Sequence, residues 1–151
     1  MGGPVRAADP SKYRLAVEIP VRFRDTDGMG HVNNAVYLTY IEVARERYWR
    51  EVFGLVDYRK VDIILARVEI DFVSPAHAGE TVVVGVRASA LGRKSFDFEY
   101  EGWAKGDGRL VVTARSVQVM YDYEKGASKE PSADFRRKIL EFEGPGTVSA
   151  R

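Results

Sequence analysis

The spacing of apolar and polar positions changes twice along the chain. From Leu15 to Arg24 the residues alternate: Leu15, Val17, Ile19, Val21 and Phe23 face one way, and Ala16, Glu18, Pro20, Arg22 and Arg24 the other. That is the period of a half-buried strand. Pro20 has no N–H to give to a ladder, so this strand is expected at a sheet edge or bulged at that point. From Tyr37 onward the spacing becomes three and four. Tyr37, Tyr40, Ile41, Ala44, Tyr48 and Val52 build one apolar stripe, while Glu42, Arg45, Glu46 and Arg50 mostly take the opposite side. Asn33 and Asn34 are good N-cap residues and Gly54 is a natural stop. The spacing predicts a helix of roughly 19 residues, about 28 Å long at 1.5 Å per residue.

Alternation then returns. Ile64, Ala66, Val68, Ile70 and Phe72 alternate with Leu65, Arg67, Glu69 and Asp71, and Ser74-Pro75 with Ala78-Gly79 marks a loop. Thr81 to Leu91, Ser95 to Lys105 and Leu110 to Tyr123 read as a meander, its second turn signalled by Gly106-Asp107-Gly108. Ser132 caps a short helix that runs to about Phe142. Residues 1–12 and 143–151 read as flexible tails around a single domain, 13–142. One strand, one long helix and four further strands bury each other only if the sheet curls around the helical stripe. The expected fold is α+β: a curved antiparallel sheet of about five strands wrapped around one long helix.

Composition narrows the function. With 151 residues the chain has the size of one domain, and 23 basic against 22 acidic residues give a net charge of +1. No basic patch stands out, so nucleic acid is not an expected partner. No apolar run is long enough for a membrane span, and the first residues lack the apolar core of a signal peptide. The absence of cysteine removes thiolate nucleophiles, disulfides and zinc–thiolate sites, and two histidines are too few for a histidine-rich metal site. A cytoplasmic protein with no metal and no cofactor is the expectation.

The chemistry is concentrated in Arg24-Asp25-Thr26-Asp27-Gly28-Met29-Gly30-His31-Val32-Asn33-Asn34. A carboxylate just ahead of a helix start suits attack on a carbonyl. The acid acts as nucleophile or base, and unpaired N–H groups of the first turn polarise the oxygen. Asp27 is the candidate, and a loop-stabilising role is its alternative. Asp25 reads as structural, binding loop amides. His31 is either a general base or a loop-fixing side chain. Gly28 and Gly30 supply unusual backbone conformations and close approach to the main chain. His77 reads as a surface residue, Glu42 as solvated charge, and Asp97, Glu99 and Glu101 as a solvated or interface face.

The order of elements, together with Asp25-Thr26-Asp27-Gly28-Met29-Gly30-His31-Val32-Asn33-Asn34-Ala35-Val36-Tyr37, resembles the hotdog-fold acyl-CoA thioesterases, and most of all the 4-hydroxybenzoyl-CoA thioesterase-like group. Val68-Glu69-Ile70-Asp71-Phe72 leading to Pro75, and Leu91-Gly92-Arg93-Lys94-Ser95-Phe96, agree with it, so the likeness spans Tyr13 to Glu141. The resemblance implies hydrolysis of an acyl-CoA thioester, with Asp27 as the catalytic carboxylate. The thioester oxygen would bind the backbone N–H near Asn34, with His31 supporting. Gly30 would lie against the substrate, Tyr37 in the core or along an acyl tunnel. Arg93, Lys94 and Ser95 would sit near the coenzyme A path, the two cations being phosphate contacts or a solvated turn. It also implies a homodimer or homotetramer with sites composed from two chains. The residues His31-Val32-Asn33-Asn34 differ from the hydroxybenzoyl members and leave the acyl group open. Hydrolysis of acyl groups on acyl-carrier protein, and a non-catalytic acyl-CoA-binding module, are the alternatives.

Overall fold

The computed structural model describes residues 4–151, so the first three residues of the expected N-terminal tail lie outside it. Five strands make the body of the sheet: β1 (Leu15–Pro20), β2 (Ile63–Phe72), β3 (Thr81–Leu91), β4 (Ser95–Ala104) and β5 (Leu110–Asp122). They lie in the order β1-β3-β4-β5-β2 with every neighbouring pair antiparallel. Two two-residue strands add to it, β6 (Ala127–Ser128) beside β5 and β7 (Ser149–Ala150) beside β3. The long helix α1 (Val36–Phe53) packs on β1 and β3, and a second helix, α2 (Ala133–Glu143), closes over α1 and β3.

The stripe of α1 is what the sheet wraps. Tyr37, Tyr40, Ile41, Ala44 and Tyr48 are buried against Val84, Val86, Phe96 and Phe98 from the sheet. Trp49 joins them, a position outside the stripe that α2 covers by setting Phe135 against it. Gly54 ends the helix in the left-handed region at φ 65°, and its N–H donates to the Arg50 carbonyl at 3.0 Å. Ser132 caps α2 as expected, its Oγ accepting from Phe135 N at 3.1 Å.

Several boundaries differ from the sequence expectation, each for a local reason. The first strand ends at Pro20, and Phe23–Asp25 turns as a 3₁₀ segment because the Asp25 carboxylate folds back onto Arg22. The helix begins at Val36, not at Asn33 or Asn34, because Asn33 Oδ1 accepts from Ala35 N at 3.0 Å and holds a turn ahead of it. In β2 a bulge between Leu65 and Arg67 leaves Ala66 without a partner and reverses the alternation. Ile63 and Leu65 therefore share the concave face with Val68, Ile70 and Phe72, opposite Met120, Gln118, Ser116, Ala114 and Val112 of β5.

The tails are tied down within the described residues. Leu110 N donates to Arg6 O at 2.8 Å, and the Tyr13 ring lies flat over Gly85, where any side chain would collide with it. At the other end β7 runs parallel to β3, and Glu143 is buried. The face of Asp97, Glu99 and Glu101 is not simply solvated either. Asp97 is only 1% exposed, clamped between Arg115 and the terminal Arg151. Charged partners of this kind are what make a buried carboxylate tolerable.

Candidate active site

The segment between β1 and α1 is held by Asp25. Its carboxylate takes Arg22 Nη2 at 2.8 Å and Nε at 3.1 Å, the Arg22 backbone N at 3.0 Å and the Tyr40 hydroxyl at 2.8 Å. Its carbonyl accepts from Asn33 N at 2.8 Å. With Arg22 as the largest cause, and despite burial, these bonds pull the Asp25 carboxyl down to about 2. Burial and the same carboxylate push the Tyr40 hydroxyl well above its ordinary value. Asp25 thus ties loop to helix, the structural part expected of it. Tyr40 as its clamp was not legible, because a tyrosine in an apolar stripe reads as core.

Asp27 is held differently. Its Oδ1 accepts from Met29 N at 2.8 Å and from His31 N at 3.3 Å, and its own N–H donates to His31 O at 2.7 Å. Gly30, at φ 80°, closes this small turn with its N–H on the Asp27 carbonyl at 3.1 Å. The second carboxylate oxygen, Oδ2, has no hydrogen-bond partner among the described residues. One oxygen fixes the group and the other stays free.

Asp27, His31, Asn34 and Tyr37 line one cleft of about 360 Å³, together with Phe72, Val73, Ser74 and Pro75 from the end of β2. The Asn34 N–H has no acceptor among the described residues and stands in the turn that leads into α1. A carbonyl placed in the cleft meets a free carboxylate oxygen and an unpaired N–H at the positive end of a helix, the elements of nucleophilic attack with oxyanion stabilisation. Ring contact between Tyr37 and Phe72, at 5.7 Å between centroids, forms the apolar end of the cleft. Among the described residues no three His, Asp or Glu side chains stand close enough together to hold a metal ion.

Two placements bear on the expectations. His77 is exposed, as expected of a surface residue, and it also forms an antiparallel bridge with His31, the two rings meeting edge to face at 5.1 Å. Forty-six positions separate them in sequence, and only the pairing of their loops, with Val32 N on Ala76 O at 2.8 Å, brings them together. Arg93, Lys94 and Ser95, in contrast, are not in this cleft. Arg93 pairs with Glu130 at 2.9 Å and Lys94 reaches Ser128 at 3.5 Å. Their turn sits beside Val119, whereas the cleft sits beside Val112, about 23 Å along β5 at 3.3 Å per residue. Glu42 lies elsewhere again, on a separate groove with Arg45, Trp49 and Leu65.

A long helix cradled by a curved antiparallel sheet, with a free carboxylate at the helix entrance, defines the hotdog class of thioester hydrolases. Comparison with known proteins agrees: residues 21–139 match the thioesterase-like superfamily, and the chain belongs to it. It is similar to a crystal structure of a thioesterase from Thermus thermophilus complexed with coenzyme A and zinc. That likeness has 35% identity and a TM-score of 0.80 over 88% of this chain and 96% of that one. A putative acyl-CoA thioesterase of Bacillus subtilis, YneP, is 37% identical over 70 residues, 44% of this chain and 51% of its own. The chloroplastic acyl-acyl carrier protein thioesterase ATL3 of Arabidopsis thaliana is 25% identical over 130 residues, 83% of this chain and 67% of its own. The protein is a thioester hydrolase.

Proposed function

We propose that the protein hydrolyses acyl-CoA thioesters and that Asp27 is the carboxylate that does so. One observation carries the reading: the free Oδ2 of Asp27 and the free N–H of Asn34 share one cleft at the start of α1. The thioester carbonyl oxygen takes the Asn34 N–H. Asp27 then either attacks the carbonyl carbon, giving an anhydride that water opens, or removes a proton from an attacking water. Both routes need the same oxygen in the same place. Coenzyme A as the carrier is supported by the Thermus relative, which binds it.

The test is Asp27→Asn, measured by thiol release from a panel of acyl-CoA esters alongside thermal melting. The amide oxygen still accepts from Met29 and His31, so the loop should hold and the melting temperature barely move. Turnover should fall by about 10²–10⁴, the scale for losing a positioned acid–base group. Near-normal turnover would remove Asp27 from the chemistry and make Glu42 the next carboxylate to substitute.

A second reading, hydrolysis of acyl groups carried by acyl-carrier protein, is favoured by the likeness to the Arabidopsis enzyme. Comparing kcat/KM for one acyl chain on the two carriers separates them.

On this reading a second chain completes the site. Among the described residues nothing pairs with the outer edge of β2, and Ile64, Leu65 and Phe72 are exposed on that strand. A second copy pairing there about a two-fold axis lies antiparallel, so the Ile63 end of one β2 meets the Phe72 end of the other. That arrangement carries Arg93 and Lys94 of the partner subunit to the Asp27 cleft, where two cations suit the phosphates of coenzyme A.

A further inference from the structure

The cleft holds an imidazole that neither route above uses. His31 projects from the same turn as Asp27, and its backbone is fully engaged in the loop: its carbonyl takes Asp27 N, and its N–H reaches Asp27 Oδ1. Its ring makes no hydrogen bond among the described residues and rests against the edge-to-face ring of His77. His77 is itself steered. Its Nδ1 lies 3.4 Å from Glu80 Oε2, and its backbone N–H donates to the same oxygen at 2.8 Å. Glu80 is locked by Arg109, whose Nη2 contacts both carboxylate oxygens at 2.8 and 2.9 Å and also the Pro75 carbonyl at 3.1 Å. Burial acts to raise the Glu80 carboxyl, but Arg109 and the His77 N–H outweigh it, so the group stays charged.

A fixed anion thus orients one imidazole, and that imidazole braces a second, which lines the cleft of Asp27 and Asn34. Asp27 from its own loop and Tyr37 from α1 line the same cleft as His31. From the loop between β2 and β3 come His77 and, behind it, Glu80, which Arg109 holds from the turn between β4 and β5.

We propose that His31 donates the proton that the departing thiolate needs, and that His77 is its positioning residue. The proposal rests on thioester hydrolysis at the Asp27 cleft. In the hydrolytic step water forms the new C–O bond and passes a proton to Asp27. The C–S bond breaks with its electron pair on sulfur, and the imidazolium of His31 gives its proton to that sulfur. The proton on Asp27 then returns to solvent or to the neutral His31, leaving acid, thiol and the starting enzyme. An alkanethiol such as coenzyme A is a poor leaving group as its thiolate and gains from this proton. An acidic aryl thiol leaves without it.

The experiment compares two thioesters of one acyl group, on coenzyme A and on an aryl thiol, in wild type and in His31→Asn, His77→Ala and Asp27→Asn. The His31→Asn loss in kcat should be about 10² on the coenzyme A ester and at least about 30-fold smaller on the aryl ester. His77→Ala should show the same asymmetry at about 10-fold on the coenzyme A ester. Asp27→Asn should lose both substrates together. Equal losses on the two esters in His31→Asn, with Asp27 still required, would overturn the proton assignment alone. Equal losses in His77→Ala would make that residue merely structural. If wild type hydrolyses neither ester, or Asp27→Asn hydrolyses both normally, the underlying reading fails and this proposal with it.

Discussion

Asp25 and Asp27 stand two positions apart in one loop, and their surroundings divide the work between them. Asp25 is 2% exposed, and Arg22 and Tyr40 hold both of its oxygens. Asp27 is half-buried, with one oxygen tied to loop amides and one left over. Asp25→Asn should therefore act on stability first, with a milder loss of rate, because the neutral amide loses the charge-assisted bonds to Arg22. The sign follows from the depressed carboxyl. A group lowered to about 2 in the fold contributes its stability above the ordinary aspartate value near 3.9, and that contribution is lost as pH falls through about 2. Melting curves should place the variant about 5 °C below wild type from pH 5 upward, with the gap closing between pH 4 and pH 2. A gap that persists unchanged at pH 2 would show that shape, not charge, is what Asp25 supplies.

At the scale of elements, α2 is joined to the rest through a buried acid. Glu143 Oε2 accepts from the Tyr48 hydroxyl of α1 and from Ala88 N of β3, both at 2.9 Å. Burial raises the Glu143 carboxyl despite those bonds and the nearby Arg87 and Arg14. A raised acid favours the fold below its unfolded value and loses that contribution as pH rises through the folded one. Glu143→Gln keeps an acceptor for both donors and removes the charge. Its melting temperature should match wild type near pH 4 and exceed it increasingly toward pH 8. A variant less stable than wild type at pH 8 would mean the charge is needed there.

Glu143 also marks the limit of what the residue pattern could say. The helical stripe, the strand runs, the Gly106-Asp107-Gly108 turn and the Ser132 cap follow from local spacing and were legible. So was the position of Asp27 ahead of the helix, because a helix start beside a carboxylate is a local arrangement. The Ala66 bulge was not, since an inserted residue leaves the alternation looking regular until a partner strand exposes the slip. The docking of residues 143–151 and the meeting of His31 with His77 were invisible for a related reason. Each depends on contacts between segments far apart in sequence, and nothing local encodes them.

The whole molecule places the Asp27 cleft at one end of the sheet and its pair of turn cations at the other, about 23 Å away. On the two-chain arrangement each site draws Asp27 from one subunit and Arg93 with Lys94 from the other. Light scattering should then give two or four chains per particle. Replacing both cations with alanine should raise KM for acyl-CoA more than it lowers kcat, with the difference fading as salt is added.

The separation also governs what happens when two kinds of defective chain are combined. Asp27→Asn chains alone should be nearly inactive, and Arg93→Ala/Lys94→Ala chains alone should bind substrate weakly. Unfolded together and refolded as mixed pairs, they sort their lesions. One site of each hybrid receives both faults, and the other receives neither. Activity at low substrate should therefore reappear from two impaired preparations, approaching half that of wild type in each hybrid pair. A mixture no more active than the sum of its parts would mean that every chain works with its own residues alone.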